Sequence, residues 1–277
     1  MKWISYIPKS YLSWFVGFWA NLPLPQPFAK FLISWFVRSY KIDPSWATRP
    51  PESFRSIGEF FTRDLKPELR PISEGIVCPV DGTLRSASGI SDVGTVVQVK
   101  GIEYKVSDLL GNDPLADRFT QGQLWNFYLS PQDAHHIHSP VDGEIVKTVH
   151  IPGKLWPVND WAFSAVDGLF AVNERIVTFI ESKFGLVAVV MVGATNVGRI
   201  ALSYASIETN TAPWKKHTQQ ALTHAPTIPV QRGAKVGTFK MGSSVVLVFE
   251  RKPFEVSGSQ APAKVTYGSA LDALCRA

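Results

Sequence analysis

Cysteine is nearly missing from this chain: 277 residues hold two, Cys78 and Cys275, with no Cys-x-x-Cys and no metal-type spacing. That scarcity gives no disulfide framework and suits a reducing compartment. Long apolar runs are missing too. A bilayer span needs roughly 20 consecutive apolar residues, and Pro23, Pro25 and Pro27 interrupt the hydrophobic N-terminal stretch, so no span is predicted. Ser13 and Gly17 break the same stretch and no small-x-small exit follows, which makes it a poor secretory signal. The chain contains no G-x-S-x-G nucleophile elbow. Val192-Gly193-Ala194-Thr195-Asn196-Val197-Gly198 lacks the glycine order and lysine of a nucleotide loop and reads as a tight strand-turn-strand. The net charge of +5 is modest, and no nucleic-acid partner is expected.

What is present is a chain 45% hydrophobic, long enough to bury a full core as one domain or as one domain with an appendage. Its charge is unevenly placed. Residues 1–60 carry seven Lys or Arg against three Asp or Glu, so most of the positive balance sits there, among Trp14, Phe15, Phe18, Trp19, Phe28, Phe31, Trp35 and Phe36. Pro27 opens a predicted helix in which Phe28, Phe31, Leu32, Trp35 and Phe36 follow the i, i+3, i+4, i+7, i+8 spacing. An upstream helix after Pro8 carries Tyr11, Leu12, Phe15, Phe18, Trp19 and Leu22. Such stripes commonly dock on a protein's own core. Tryptophans and cations together favour a membrane surface instead, as at headgroup depth.

Ser56-Ile57-Gly58-Glu59 is a capping-box pattern, and it predicts a third short helix ending near Pro67. From Ile72 the period changes. Segments rich in Val, Ile, Thr, Phe and Tyr alternate with turn residues at 95–99, 124–129, 143–150, 177–180, 186–192, 235–239 and 245–249. The fold class predicted is α+β, with a β-rich barrel or sandwich core. Cys78-Pro79-Val80-Asp81-Gly82 is echoed by Ser139-Pro140-Val141-Asp142-Gly143, each a turn feeding a strand, as in the barrel-sandwich hybrid folds of lipoyl and biotinyl carriers.

The segment Tyr128–Pro140 holds half of the six histidines: His135, His136 and His138. Three readings compete for it. They are a solvated polar turn, a metal site in which His136 and His138 share one side of a strand with Asp133 or Glu144, and a proton-transfer pair needing a carboxylate such as Asp81 or Asp142. A second feature is the Gly242-Ser243 step ahead of Val245–Phe249. Such steps are mostly turn-to-strand junctions. Beside a base, however, a serine hydroxyl can attack the preceding carbonyl, which glycine leaves unhindered.

Taken in order, Pro-Val-Asp81-Gly, Tyr128-Leu-Ser-Pro-Gln-Asp-Ala-His135-His-Ile-His138-Ser-Pro, Phe170-Ala-Val-Asn-Glu-Arg, Val192-Gly-Ala-Thr-Asn-Val-Gly and Gly237-Thr-Phe-Lys-Met-Gly242-Ser243-Ser resemble the phosphatidylserine decarboxylase proenzymes. The resemblance runs from about Tyr40 to Val248, and the aromatic N-terminus is similar in character to that family's membrane-binding helices. It implies that Ser243, with His138 and Asp81 as the other members of a triad, breaks the Gly242–Ser243 bond. A β chain 1–242 and an α chain 243–277 would result, the latter capped by a covalent pyruvoyl group made from Ser243. It further implies that this cofactor forms a Schiff base with the serine headgroup of phosphatidylserine, with His135 as a proton donor, releasing carbon dioxide and phosphatidylethanolamine. No metal is implied, and Asp142 is read as structural.

The implied organisation is a helical membrane-associating region, 1–66, and a β-rich catalytic domain, 67–277. Partners implied are phosphatidylserine, an anionic membrane surface and a second copy in a homodimer, at the cytoplasmic face of a bacterial inner membrane. Two positions depart from the family's usual cleavage motif: Met241 stands for Leu and Ser244 for Thr, both conservative in volume or hydroxyl. His136 stands where an arginine is often found. A non-catalytic membrane-binding β module, a serine lipid hydrolase and a metal enzyme using His136, His138 and Glu144 remain the rival readings.

Overall fold

Alternating apolar residues from Gly82 onward are realised as antiparallel strands. The computed structural model describes residues 9–97, 102–195, 199–212, 214–215, 217–240, 244–255 and 262–275. Its strands are β1 (Gly82–Gly89), β2 (Thr95–Val97), β3 (Glu103–Lys105), β4 (Gln123–Tyr128), β5 (His136–His138), β6 (Gly143–Ile151) and β7 (Arg175–Ser182). They continue as β8 (Gly185–Val192), β9 (Ile200–Leu202), β10 (Gln220–Val230), β11 (Lys235–Phe239), β12 (Ser244–Phe249) and β13 (Ala263–Val265). An eight-stranded sheet runs β10-β6-β7-β8-β12-β4-β1-β13, and a three-stranded sheet runs β5-β11-β9. The large sheet is open, with β10 and β13 at its edges, so the chain is α+β without a closed barrel. The closed barrel, one of the two architectures expected, does not form among the described residues.

The central strands explain themselves. Gly185–Val192 and Ser244–Phe249 are buried along their whole length, as near-continuous runs of Val, Leu, Ala and Met require when both faces of a sheet are covered. One face packs with the small sheet through Ile137, Ile200, Val236 and Phe239 against Met191, Val245 and Leu247. The other packs under Leu109, Phe119, Leu169 and Phe170. The long edge strand β10 was not among the expected segments. Pro226 and Pro229 lie within it, and its pairing shifts between Thr223 and Ile228, which an edge strand tolerates.

Helices α1 (Lys9–Asn21), α2 (Gln26–Ser39) and α3 (Ile57–Phe61) form as the N-terminal spacing predicts, with Pro25 at the N-cap of α2 and the Ser56 hydroxyl accepting from Glu59 N–H at 3.0 Å. The third helix stops six residues before Pro67. Thr62 turns its hydroxyl back to Gly58 O, and Leu65 pairs in extended form with Ala47. The predicted apolar stripe divides. Ala29, Ile33 and Phe36 pack on Phe54, Phe60 and Phe61, while Phe28, Phe31 and Trp35 face outward, joined by Phe15, Phe18 and Trp19 of α1.

Candidate active site

Pairing register gathers the expected residues at one end of the large sheet. Thr83 pairs with Tyr128, Tyr128 with Ser244, and Ser244 with Val192, so the start of β1, the end of β4 and the start of β12 lie in one row. Gly82 permits this closeness, because a Cβ there would collide with the Tyr128 carbonyl. Strand β5 is fixed from both sides. His138 N–H donates to Pro79 O and Phe239 N–H donates to His135 O, each at 2.9 Å. Met241, Gly242 and Ser243 lie outside the described residues. Their flanks do not: Phe239 is bonded to His135, and Ser244 is buried at the end of the row.

His138 is buried, and its Nδ1 donates to Pro79 O at 3.3 Å, a carbonyl that can only accept. The lone pair is thereby left on Nε2. Its ring stacks on Tyr267, centroids 3.9 Å apart and planes within 9°. Burial, opposed by the Pro79 carbonyl, pushes the imidazole down to about 3, so the ring is neutral at physiological pH. Asp81 is 5% exposed and takes a two-pronged contact from Arg70, Nε at 2.9 Å and Nη2 at 2.7 Å, while Tyr267 N–H donates to it at 2.9 Å. The bond to Asp81 raises Arg70 above the usual guanidinium value. Asp81 and His138 therefore meet at Tyr267, and Pro79, rather than Asp81, holds the Nδ1 of His138.

His135 is fully buried with its ring 3.8 Å from that of Phe61. Neither of its nitrogens has a hydrogen-bond partner among the described residues. Burial, reinforced by the nearby Arg63 charge, holds it well below the usual histidine range. The Asp133 backbone lies near the ring without completing a hydrogen bond, and a buried imidazole that makes no full hydrogen bond among the described residues suits a group that meets a partner only during chemistry. His136 turns elsewhere, with Nδ1 3.0 Å from Thr238 Oγ1 and Nε2 3.1 Å from Asp64. Glu144 accepts from Thr227, and Asp142 accepts from Arg232 N–H at 2.9 Å. The metal reading loses its donor set, because Glu144 and His136 are engaged apart and no cluster of three such side chains forms among the described residues. Sequence reasoning missed Arg70 and Tyr267. A carboxylate buried in the Asp81 turn does call for a cation, but nothing in the sequence marks Arg70 or Tyr267 as its partner.

A family model described as phosphatidylserine decarboxylase matches residues 57–272. The chain belongs to the phosphatidylserine decarboxylase family. It is 42% identical over 256 residues to a phosphatidylserine decarboxylase proenzyme of Myxococcus xanthus, covering 91% of this chain and 89% of the relative. A phosphatidylserine decarboxylase proenzyme of Brevibacillus brevis is 39% identical over 254 residues, 88% of each chain, and one of Shewanella frigidimarina 39% over 257, covering 90% and 88%. Asp81, His135, His138 and Tyr267 all fall inside the segment matched to the phosphatidylserine decarboxylase family, whereas α1 and α2 precede it.

Proposed function

We propose that the protein is a phosphatidylserine decarboxylase that matures by cutting itself between Gly242 and Ser243, giving a β chain 1–242 and an α chain 243–277. The observation carrying this reading is the neutral His138, its Nε2 without a hydrogen-bond partner among the described residues, in the same buried cluster as Asp81 and at the level where the chain enters β12. In the proposed step Nε2 takes the Ser243 hydroxyl proton, and the oxygen attacks the Gly242 carbonyl, exchanging an amide for an ester. Loss of the Ser243 α-proton breaks the ester C–O bond, leaving the β chain with a free carboxylate. Water then replaces the α-chain nitrogen, which departs as ammonia and leaves a pyruvoyl cap.

That cap supplies an electrophilic carbonyl and an electron sink, which no ordinary side chain offers. The residues present fit such a group. His135, neutral and without a hydrogen-bond partner among the described residues, can take up the proton that the substrate's ammonium gives up and then hand it to the product carbon, and the buried surroundings exclude water. Asp81 keeps its carboxylate fixed between Arg70 and Tyr267, and it acts on His138 through that shared neighbour.

The reading divides the chain into a membrane-associating region 1–66 and a catalytic domain 67–277, with the sandwich built in the manner of a barrel-sandwich hybrid. It attaches the protein peripherally to the cytoplasmic face of a bacterial inner membrane and, on resemblance alone, pairs it as a homodimer. No helix among the described residues is long and apolar enough to cross a membrane, and the outward Phe28, Phe31 and Trp35 support surface attachment. Cosedimentation with phosphatidylserine-containing vesicles should fall severalfold when Phe31 and Trp35 are both replaced by Ser.

Mass spectrometry of the purified protein tests the core claim. Two polypeptides split after Gly242 are expected, the smaller one lighter than a Ser243-initiated peptide by one ammonia. A folded, lipid-bound chain that stays intact would overturn it, and Ser243→Ala should give a single full-length species.

A further inference from the structure

One buried charge has no role in the chemistry above. Beside Asp81 lies a cavity of about 650 Å3, walled in part by residues 41–46, 132–134 and the C-terminal 264–274 segment. Lys41, Arg63, Arg70 and Lys264 line it, and two of these cations are matched: Arg70 by Asp81, and Lys264 by Asp133 at 3.7 Å. The remaining carboxylate in the wall, Asp43, accepts from Ser45 N–H.

Arg63 is different. It is 3% exposed, its Nη1 donates to Phe60 O and its Nη2 to Gln132 O, and its Nε has no acceptor among the described residues. No carboxylate among the described residues lies within ion-pair distance of it. Burial lowers its pKa only to about 10, so it keeps its charge at neutral pH. Asp81 and Asp133 act on it only at a distance, each being paired with another cation, so this guanidinium is out of water without a contacting counter-ion, which is costly, and its orphaned donor calls for an acceptor. The planar fork suits phosphate oxygens.

Its position narrows the ligand. Phe61, two residues before Arg63, stacks on His135, and Ala134 in the cavity wall precedes His135. On the other side, α3 packs against α2, whose outer face carries the exposed aromatics. An anion at Arg63 would thus lie between the candidate proton donor and the candidate membrane face. In phosphatidylserine only a few bonds separate the phosphorus from the amine.

We propose that Arg63, with Lys41 at the same cavity, is the site that binds the phosphodiester of the lipid headgroup. This rests on the decarboxylase reading. Inorganic phosphate carries the same chemistry, so the test includes both.

Initial rates of the matured enzyme on short-chain, water-soluble phosphatidylserine should show KM raised at least tenfold in Arg63→Gln, with kcat changed less than threefold and partial rescue in Arg63→Lys. Lys41→Gln should raise KM by a smaller factor, and Lys105→Gln, a charge control on β3, should leave it unchanged. Glycerophosphoethanolamine, a headgroup diester, should compete with substrate, and its inhibition constant should rise at least tenfold in Arg63→Gln. An unchanged KM in that variant overturns the inference while leaving the activity intact. Tighter competition by inorganic phosphate than by the diester overturns the lipid assignment. If Arg63→Gln does not fold, competition on the wild type and the Lys41→Gln shift decide, and absence of both refutes the site. A wild type inactive on phosphatidylserine would sink the decarboxylase reading, and calorimetric titration of the diester onto it would still test the anion site.

Discussion

The two Pro-Val-Asp-Gly turns are built alike and end differently. Each buries its valine completely, each leads into a strand, and each aspartate accepts a backbone N–H at 2.9 Å, from Tyr267 for Asp81 and from Arg232 for Asp142. Gly82 and Gly143 are both pressed against a carbonyl, of Tyr128 and Glu181. The turns even hold one another's strands: Val77 N–H donates to Pro140 O, and His138 N–H to Pro79 O. Beyond that they diverge. Asp81 is buried with a bidentate guanidinium and borders a stacked, neutral histidine, whereas Asp142 is exposed and its side chain serves the backbone. A repeated motif therefore fixes backbone shape, and the chemistry comes from what covers it.

The strongest way to break the comparison is to neutralise each aspartate in turn. Asp81→Ala leaves Arg70 buried and unpaired, and removing one partner of such a pair costs about 3–5 kcal/mol. Asp142→Ala removes an exposed turn acceptor and should cost about 1 kcal/mol. Urea denaturation should separate the two variants by that margin, and gel electrophoresis should show maturation lost in the first and kept in the second. Equal destabilisation would mean that the second turn is not the passive one.

Much of this was legible in sequence because it depends on local pattern. Alternation found the central strands, capping found α3, and helical spacing found α1 and α2. What could not be read was which side of α2 faces in, because Ala29, Ile33 and Phe36 form a second stripe whose partners, Phe54, Phe60 and Phe61, are supplied by a later segment. The triad residues came from ordered motifs, and the register does bring Asp81 and His138 into one cluster. Their direct contact did not follow, since Arg70 and Tyr267 reach Asp81 from 11 and 186 residues away. Long-range partners of a buried charge leave no periodic trace.

Acid sharpens the contrast next. His135, His136 and His138 are all held below the unfolded value of 6.5 by burial, to about 4 for His136 and about 3 for His138. The unfolded chain then binds more protons than the folded one below pH 6.5. Their stabilising contribution is complete above that pH and is lost as pH falls toward the folded values, by up to about 1.4 kcal/mol per pH unit for each histidine. The lowered carboxylates Glu59, Asp64 and Glu250 act from below about 4.5, so the window between pH 6.5 and 4.5 belongs to the histidines. Unfolding free energies that stay flat across that window would contradict the buried, neutral cluster on the Asp81 side. Maturation should behave oppositely: with His138 already neutral, the cleavage rate should hold through pH 6.5 and decline only in stronger acid.

The smallest effect expected is at Tyr267, which has no counterpart at the second turn. Its backbone serves Asp81 while its ring lies flat on His138, so side-chain substitutions separate the two roles. Tyr267→Phe keeps the stacked face and should mature at the wild-type rate. Tyr267→Ala keeps the N–H but frees the imidazole to rotate off the Pro79 carbonyl; a ring pair of this kind is worth about 0.5–1.5 kcal/mol, which corresponds to a slowing of roughly 2- to 13-fold. Time courses of processing after synthesis in a cell-free system would resolve that difference. Equal slowing in Phe and Ala would assign the effect to the phenol hydroxyl, and no slowing in either would show that Pro79 alone suffices to hold His138.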